Sequence, residues 1–268
     1  MPYLIGLIIA LFITLTGVGA GTITVPILVL FLGVPAPVAV SIGLMFAAVV
    51  KLILVPAQVV RGNVSWRTLG YMLLGGVPGV LIGSFILKRL MTSGSENVIN
   101  AILGIILVLT ASWQIVFSFR AMRARSEVKD RTSWLSWLMF PVGAEVGFSS
   151  AGAGALGSAA LLSLTPLAPA QVVGTDIAFG FVVSLIGSGA HWFSPLTNVT
   201  LLEQLIIGGV LGAIGGTLLS THIPRRPLRF ALWIWLLVLG GQFLFNSYRV
   251  WNLPDKQAAH HYAAARVK

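Results

Sequence analysis

Cysteine is absent from all 268 residues, which excludes disulfides, thiolate metal sites and a cysteine nucleophile. Charge is scarce as well. Only 9% of residues are Asp, Glu, Lys or Arg, against about 25% in an ordinary soluble domain. Acids are the rarest, with seven Asp and Glu against 17 Lys and Arg. So little charge argues against a soluble enzyme and a disordered chain. The formal net charge of +10 does not signal nucleic acid either, because base-stacking aromatics are not interleaved with the arginines.

What the chain has in abundance is apolar surface: 57% hydrophobic residues and a mean hydropathy of +0.95. A spanning helix takes about 20 apolar residues, so the sequence holds room for roughly seven to nine of them. The expected fold class is an all-α polytopic membrane protein of about eight transmembrane segments. Of the basic residues only Lys51 falls inside an apolar run; the rest lie in loops and the tail, where they report orientation. The opening Met1-Pro2-Tyr3-Leu4-Ile5 has no basic n-region, so it is expected to start the first span rather than a removable signal.

The sequence resembles itself at an offset of 133 residues. Gly19-Ala20-Gly21 falls on Gly152-Ala153-Gly154, Phe46 on Phe179, and Gly75-Gly76-Val77 on Gly208-Gly209-Val210, with Gly79 and Gly83 on Gly212 and Gly216. The expected organisation is therefore a first repeat at 1–119, a basic cytoplasmic linker at 120–133, a second repeat at 134–248 and a polar tail at 249–268. Each repeat comprises a broken segment (3–33 and 134–165) followed by three spans. The third spans carry glycine at every fourth position, a stripe that lets helix backbones approach closely in lipid.

The broken segments are the candidate site. Residues 3–33 as one helix would run roughly 45 Å at 1.5 Å per residue, beyond a hydrocarbon core of about 30 Å. Gly17-Val18-Gly19-Ala20-Gly21, and in the second half Ser149-Ser150-Ala151-Gly152-Ala153-Gly154, interrupt them. Two half-helices should meet near the midplane, as a kinked span or a re-entrant hairpin. Irregular backbone survives at that depth only when buried or lining a wet cavity, and paired broken helices at matching places point to a transporter's substrate site. Free N–H groups near Thr22 and Ala155 would favour an anion. The substrate-binding residues expected on this basis are Gly19, Gly21, Thr22, Lys51, Ser149, Ser150, Gly152 and Gly154. Lys51 is expected to face the bundle interior, as an anion-binding cation or in an ion pair with Glu145 or Asp176. Glu145, Asp176 and His191 are candidates for proton coupling or for the charge partner.

These stretches resemble the sulfite exporter TauE/SafE family of membrane permeases over nearly the whole chain. The resemblance is carried by Gly17 to Gly21 with Pro26, by Tyr71 to Gly83 with its Gly75-Gly76-Val77-Pro78-Gly79 core, by Arg61 to Arg67, by Ser150 to Gly154, and by Val172 to Ile177 with His191 following. The chain departs from the family pattern at Gly43, where an acid is common, and at Gln58, where a histidine is. The resemblance implies transport of small sulfur-containing anions such as sulfite or organosulfonates, without cofactor, metal or nucleic-acid partner, in the bacterial inner membrane. Two other functions fit some of the same residues. One is a passive anion channel. The other is an intramembrane serine hydrolase, in which Ser149 and His191 would form a dyad.

Overall fold

A computed structural model describes residues 1–16, 19–93, 96–121, 130–192, 199–219 and 225–252. Those residues form ten α-helices and no strand: α1 (Pro2–Thr16), α2 (Ala20–Leu32), α3 (Ala36–Val60), α4 (Trp66–Thr92), α5 (Glu96–Ala121), α6 (Leu135–Ser149), α7 (Ala155–Leu164), α8 (Pro169–Trp192), α9 (Val199–Leu219) and α10 (Arg225–Asn252). Six of them (α3, α4, α5, α8, α9 and α10) contain apolar stretches long enough to cross a membrane. Prolines punctuate the joints. Pro35 caps the start of α3, and Gly33, at φ 64°, closes α2 in the left-handed conformation that glycine adopts without strain.

Glycine seams hold the helices together. Gly75, Gly79 and Gly83 of α4 lie against the carbonyl oxygens of Ser136, Phe140 and Ala144 of α6, and Gly143 and Gly147 return against Gly76 and Val80. A second seam has Gly208, Gly212 and Gly216 of α9 on Tyr3, Leu7 and Thr14 of α1. None of these positions has room for a Cβ, so the backbones touch and dispersion replaces side-chain packing. Two rings fit the same notches crosswise: Phe179 packs on Gly76 and Phe46 on Gly209. Both rings are fully buried.

The register of these contacts gives each helix its direction. The pairs on α4 and α6 ascend together, as do Gly76 with Phe179 and Val80 with Gly187, so α4, α6 and α8 run the same way. The connection at 165–168 folds α7 back on α8, with Ser158 opposite Asp176. Hence α7 opposes α6. The N–H of Arg131, just before α6, donates to the carbonyl of Leu164, the last residue of α7, at 2.8 Å. The second broken segment therefore enters and leaves on one face.

The first segment is likewise broken into two short apolar helices, α1 and α2. Leu44 on Gly187 and Lys51 on Gly180 set α3 antiparallel to α8, α1 runs with α9, and α2, whose Val25 meets Gly43, turns back along α3 through the connection at 33–35. The second broken segment is thus a re-entrant hairpin, which the kinked-span alternative does not fit.

Candidate functional site

The breaks of the two segments meet. Gly19 packs on the backbone of Ala153, and Gly21 on the carbonyl of Ser150. The second tip reverses through three residues at positive φ: Ser150 at 60°, Gly152 at 87° and Gly154 at 113°. Two of the three are glycine, for which that region carries no steric cost; Ser150 bears the strain. Most hydroxyls there serve their own backbone. Thr22 Oγ1 donates to the Gly19 carbonyl at 2.5 Å, and Ser149 Oγ donates to the Glu145 carbonyl at 2.8 Å while accepting from the Ala151 N–H at 3.1 Å. Ser150 differs: among the described residues its buried Oγ has no hydrogen-bond partner, and it lies against Gly21 and Gly43.

Lys51 turns inward, as expected, and is only 6% exposed. Its ammonium occupies a slot in α8 where Gly180 lacks a side chain, with the methyl of Ala153 beside the same slot. Asp176, one helical turn before Gly180, is the acid whose field acts on Lys51. Asp176 is itself anchored in the first turn of α7. Its Oδ2 accepts from Ser158 Oγ at 2.6 Å, and its Oδ1 packs against Gly157. The N-terminus of α7 therefore already holds a carboxylate belonging to the chain, a favourable place for negative charge.

Glu145 stands apart from this pair. Its Oε1 accepts from Thr110 Oγ1 at 2.5 Å, and the carboxyl lies against the backbone of Gly152. Of the two acids considered as partners for Lys51, Asp176 is the one that lies one turn from the Lys51 slot on the same helix. His191 lies in the last turn of α8, and its side chain is outside the described residues, as are Gly17 and Val18. Gly157, Ser158, Gly180 and Thr110 were not foreseen. The only signal for Gly180 was its spacing of four from Asp176, which puts both on one helix face.

The loop after α3 docks close by. Ser65 N–H donates to Thr175 Oγ1 at 2.9 Å, Asn63 packs its backbone on Gly174, and Asn63 Nδ2 donates to Gln58 Oε1 at 3.0 Å.

The family model described as Sulfite exporter TauE/SafE matches residues 3–243. A relative from Bacillus subtilis (strain 168), described as "Probable membrane transporter protein YjnA", is 28% identical over 207 residues, which cover 74% of this chain and 81% of that protein. No solved structure matches.

Proposed function

The chain belongs to the sulfite exporter TauE/SafE family, and we propose that it carries small sulfur-containing anions, sulfite or an organosulfonate, across the bacterial inner membrane. The observation that carries this reading is Lys51, an ammonium held in a side-chain-free slot of α8 beside the tip of the second hairpin. A buried charge at such depth is costly enough to mark a substrate path. The anion would sit between Lys51, Ser150 and the N-terminal turn of α2, with Gly19, Gly21, Thr22, Ser149, Gly152 and Gly154 shaping the backbone around it. Because Gly19 and Gly21 touch Ala153 and Ser150, the tips must part to admit it.

The two halves, in this proposal, are inverted repeats rocking about the crossed hairpins. Support comes from reciprocal contacts at positions 133 apart: Phe46 on Gly209 and Phe179 on Gly76, with α3 and α8 antiparallel. With the first segment also taken as a hairpin, Arg61, Arg67, Arg131, Arg225, Arg226 and Arg229 lie on one face of the proposed topology. That face is taken as cytoplasmic. The natural absence of cysteine makes the topology directly testable: Asn63→Cys should react with an impermeant thiol reagent only from inside the cell, and Val34→Cys only from outside. The opposite pattern rejects the orientation.

The functional test is a proteoliposome flux assay over sulfite, organosulfonates, sulfate and carboxylates. Sulfite or a sulfonate should move in wild type, show exchange driven by trans substrate, and stop moving in Lys51→Ala. Uptake unaltered by Lys51→Ala would end the reading.

A further inference from the structure

We propose that Glu145 and Thr110 form a proton-binding site, separate from the Lys51–Asp176 pair and wetted from the basic face through the interface of α5 and α10. The proposal deepens the transport reading by naming a coupling ion, but the site itself rests on its own geometry.

The first part of that geometry is the isolation of the carboxyl. The charged and titratable groups on elements packed against α6 are Lys51 on α3; Arg67, Tyr71, Lys88 and Arg89 on α4; Glu96 and Arg120 on α5; and Asp176 and His191 on α8. α2 and α7 carry none. Lys51 is committed to the slot at Gly180, and Arg67, Lys88, Arg89, Glu96, Arg120 and His191 lie in or near the end turns of their helices. Among the described residues the carboxyl has one polar side-chain partner, Thr110. Glu145 is half-buried; an unpaired carboxylate at that depth is strongly disfavoured, and a bound proton removes the penalty. Thr110 then holds the acid in place through Oε1.

The second part is a trail of unsatisfied polar atoms. Thr110 and Gln114 share one face of α5, four residues apart, and both are buried. Among the described residues Gln114 Nε2 has no hydrogen-bond partner. The contacts of Gly104 with Leu244 and of Gly240 with Val108 set α5 antiparallel to α10, which brings Gln114 level with Trp233. The indole N–H of Trp233 is also unpartnered and buried. Two buried donors facing one level of an interface call for acceptor oxygen, and water is the small acceptor that fits between helices. This level lies between Glu145 and the end where α5 finishes at Ala121 and α10 starts at Arg225. The wet route therefore opens on the basic face.

The third part is the link to transport. The Glu145 carboxyl touches Gly152, whose φ of 87° forms the tip of the second hairpin. Ala153, the next residue, flanks the Lys51 slot. Placing or removing charge on Glu145 thus acts on backbone adjoining the anion site without any contact with the anion.

The test uses the full chain in liposomes and infrared difference spectra across a pH step, with the proton itself as the ligand. The wild type should show the carbonyl stretch of a protonated carboxylic acid. That band should vanish in Glu145→Gln, persist in Asp176→Asn and shift in Thr110→Val. Glutamine keeps the acceptor for Thr110, so folding is preserved. In Gln114→Leu, deuterium exchange at the band should slow by at least tenfold. A missing wild-type band, or one unaffected by Glu145→Gln, overturns the site; exchange unchanged in Gln114→Leu overturns the route. Liposomes that move sulfite yet lack the band would reject the proton site and keep the anion reading. A band without movement of any tested anion would do the reverse.

Discussion

Replacing Gly180 with alanine separates an ion slot from a packing glycine. In a helix the change alone is worth about 1 kcal/mol of added stability. Here, however, the new methyl would coincide with the Lys51 ammonium. The lysine stem is flexible, but its surroundings are closed and the residue is 6% exposed, so the ammonium must leave the field of Asp176. Uncoupling a buried pair costs about 3–5 kcal/mol. The expected net loss is therefore roughly 2–4 kcal/mol. In a Lys51→Ala background the slot is empty, and Gly180→Ala should instead give the bare gain of about 1 kcal/mol. Denaturant titration in detergent, followed by tryptophan fluorescence, supplies the four corners of the cycle, and sulfite flux in proteoliposomes supplies the functional readout. A coupling energy below about 0.5 kcal/mol, the usual scatter of independent sites, would refute the slot. So would wild-type flux in Gly180→Ala.

Three other outcomes follow from the same geometry. Ser150→Gly should stabilise the chain by about 1 kcal/mol by relieving the left-handed serine, whereas Gly154→Ala should destabilise it by about 1–2 kcal/mol; thermal unfolding in detergent measures both. In the seams, Gly79→Leu and Gly212→Leu should abolish the folded, monodisperse protein on size-exclusion chromatography, while Gly215→Ala, where no atom lies within 4 Å of the added carbon, should elute as wild type. On the basic face, the hydroxyl and then the amide of Thr132 hold the Asp130 carboxyl below its ordinary range. A depressed acid contributes above its unfolded pKa and loses that contribution as pH falls through the folded one. Hydrogen exchange at the Thr132 amide should accordingly stay constant from pH 8 to about 5 once corrected for intrinsic rates, and increase only in stronger acid.

How much of this was legible beforehand differed by feature. The all-helical membrane class followed from scarce charge together with abundant apolar residues, and the glycine stripes on the third spans announced close seams. Their partners were not readable. That α4 packs on α6 and α9 on α1 depends on a topology to which hydropathy is blind, because a kinked span and a hairpin of two half-helices contain the same apolar residues. The basic residues decide between these topologies by a margin of one, so the charge pattern was equally silent. The inward lysine was foreseeable from its cost in lipid, yet its slot was not, since a single helical glycine such as Gly180 resembles any other. Thr110 was invisible for a similar reason: a hydroxyl in an apolar run is commonplace until a carboxyl is found opposite it.

The chemistry gathers around the second hairpin, whereas the proposed repeat matches the packing residues of the two halves. On the proposed repeat, Asp176 corresponds to Gly43, Ser158 to Val25, Glu145 to Phe12 and Thr110 to Phe243. The two acids and their hydroxyl partners thus align with apolar residues or a bare glycine in the other half, while Ser149 aligns with Thr16. The packing residues do the opposite and pair like with like: Phe46 with Phe179, Gly76 with Gly209, Gly79 with Gly212. In the proposed rocking mechanism, matched seams would let both halves move by one geometry without a separate hinge. The acids deep in the spans, Glu145 and Asp176, would both belong to the second half during that motion. Lys51, the one charged residue in the spans of the first half, reaches across α8 to join them. A substitution that moved an acid to Gly43 would place a second carboxylate beside Ser150 and Val25, where an incoming anion would meet repulsion in place of a free hydroxyl.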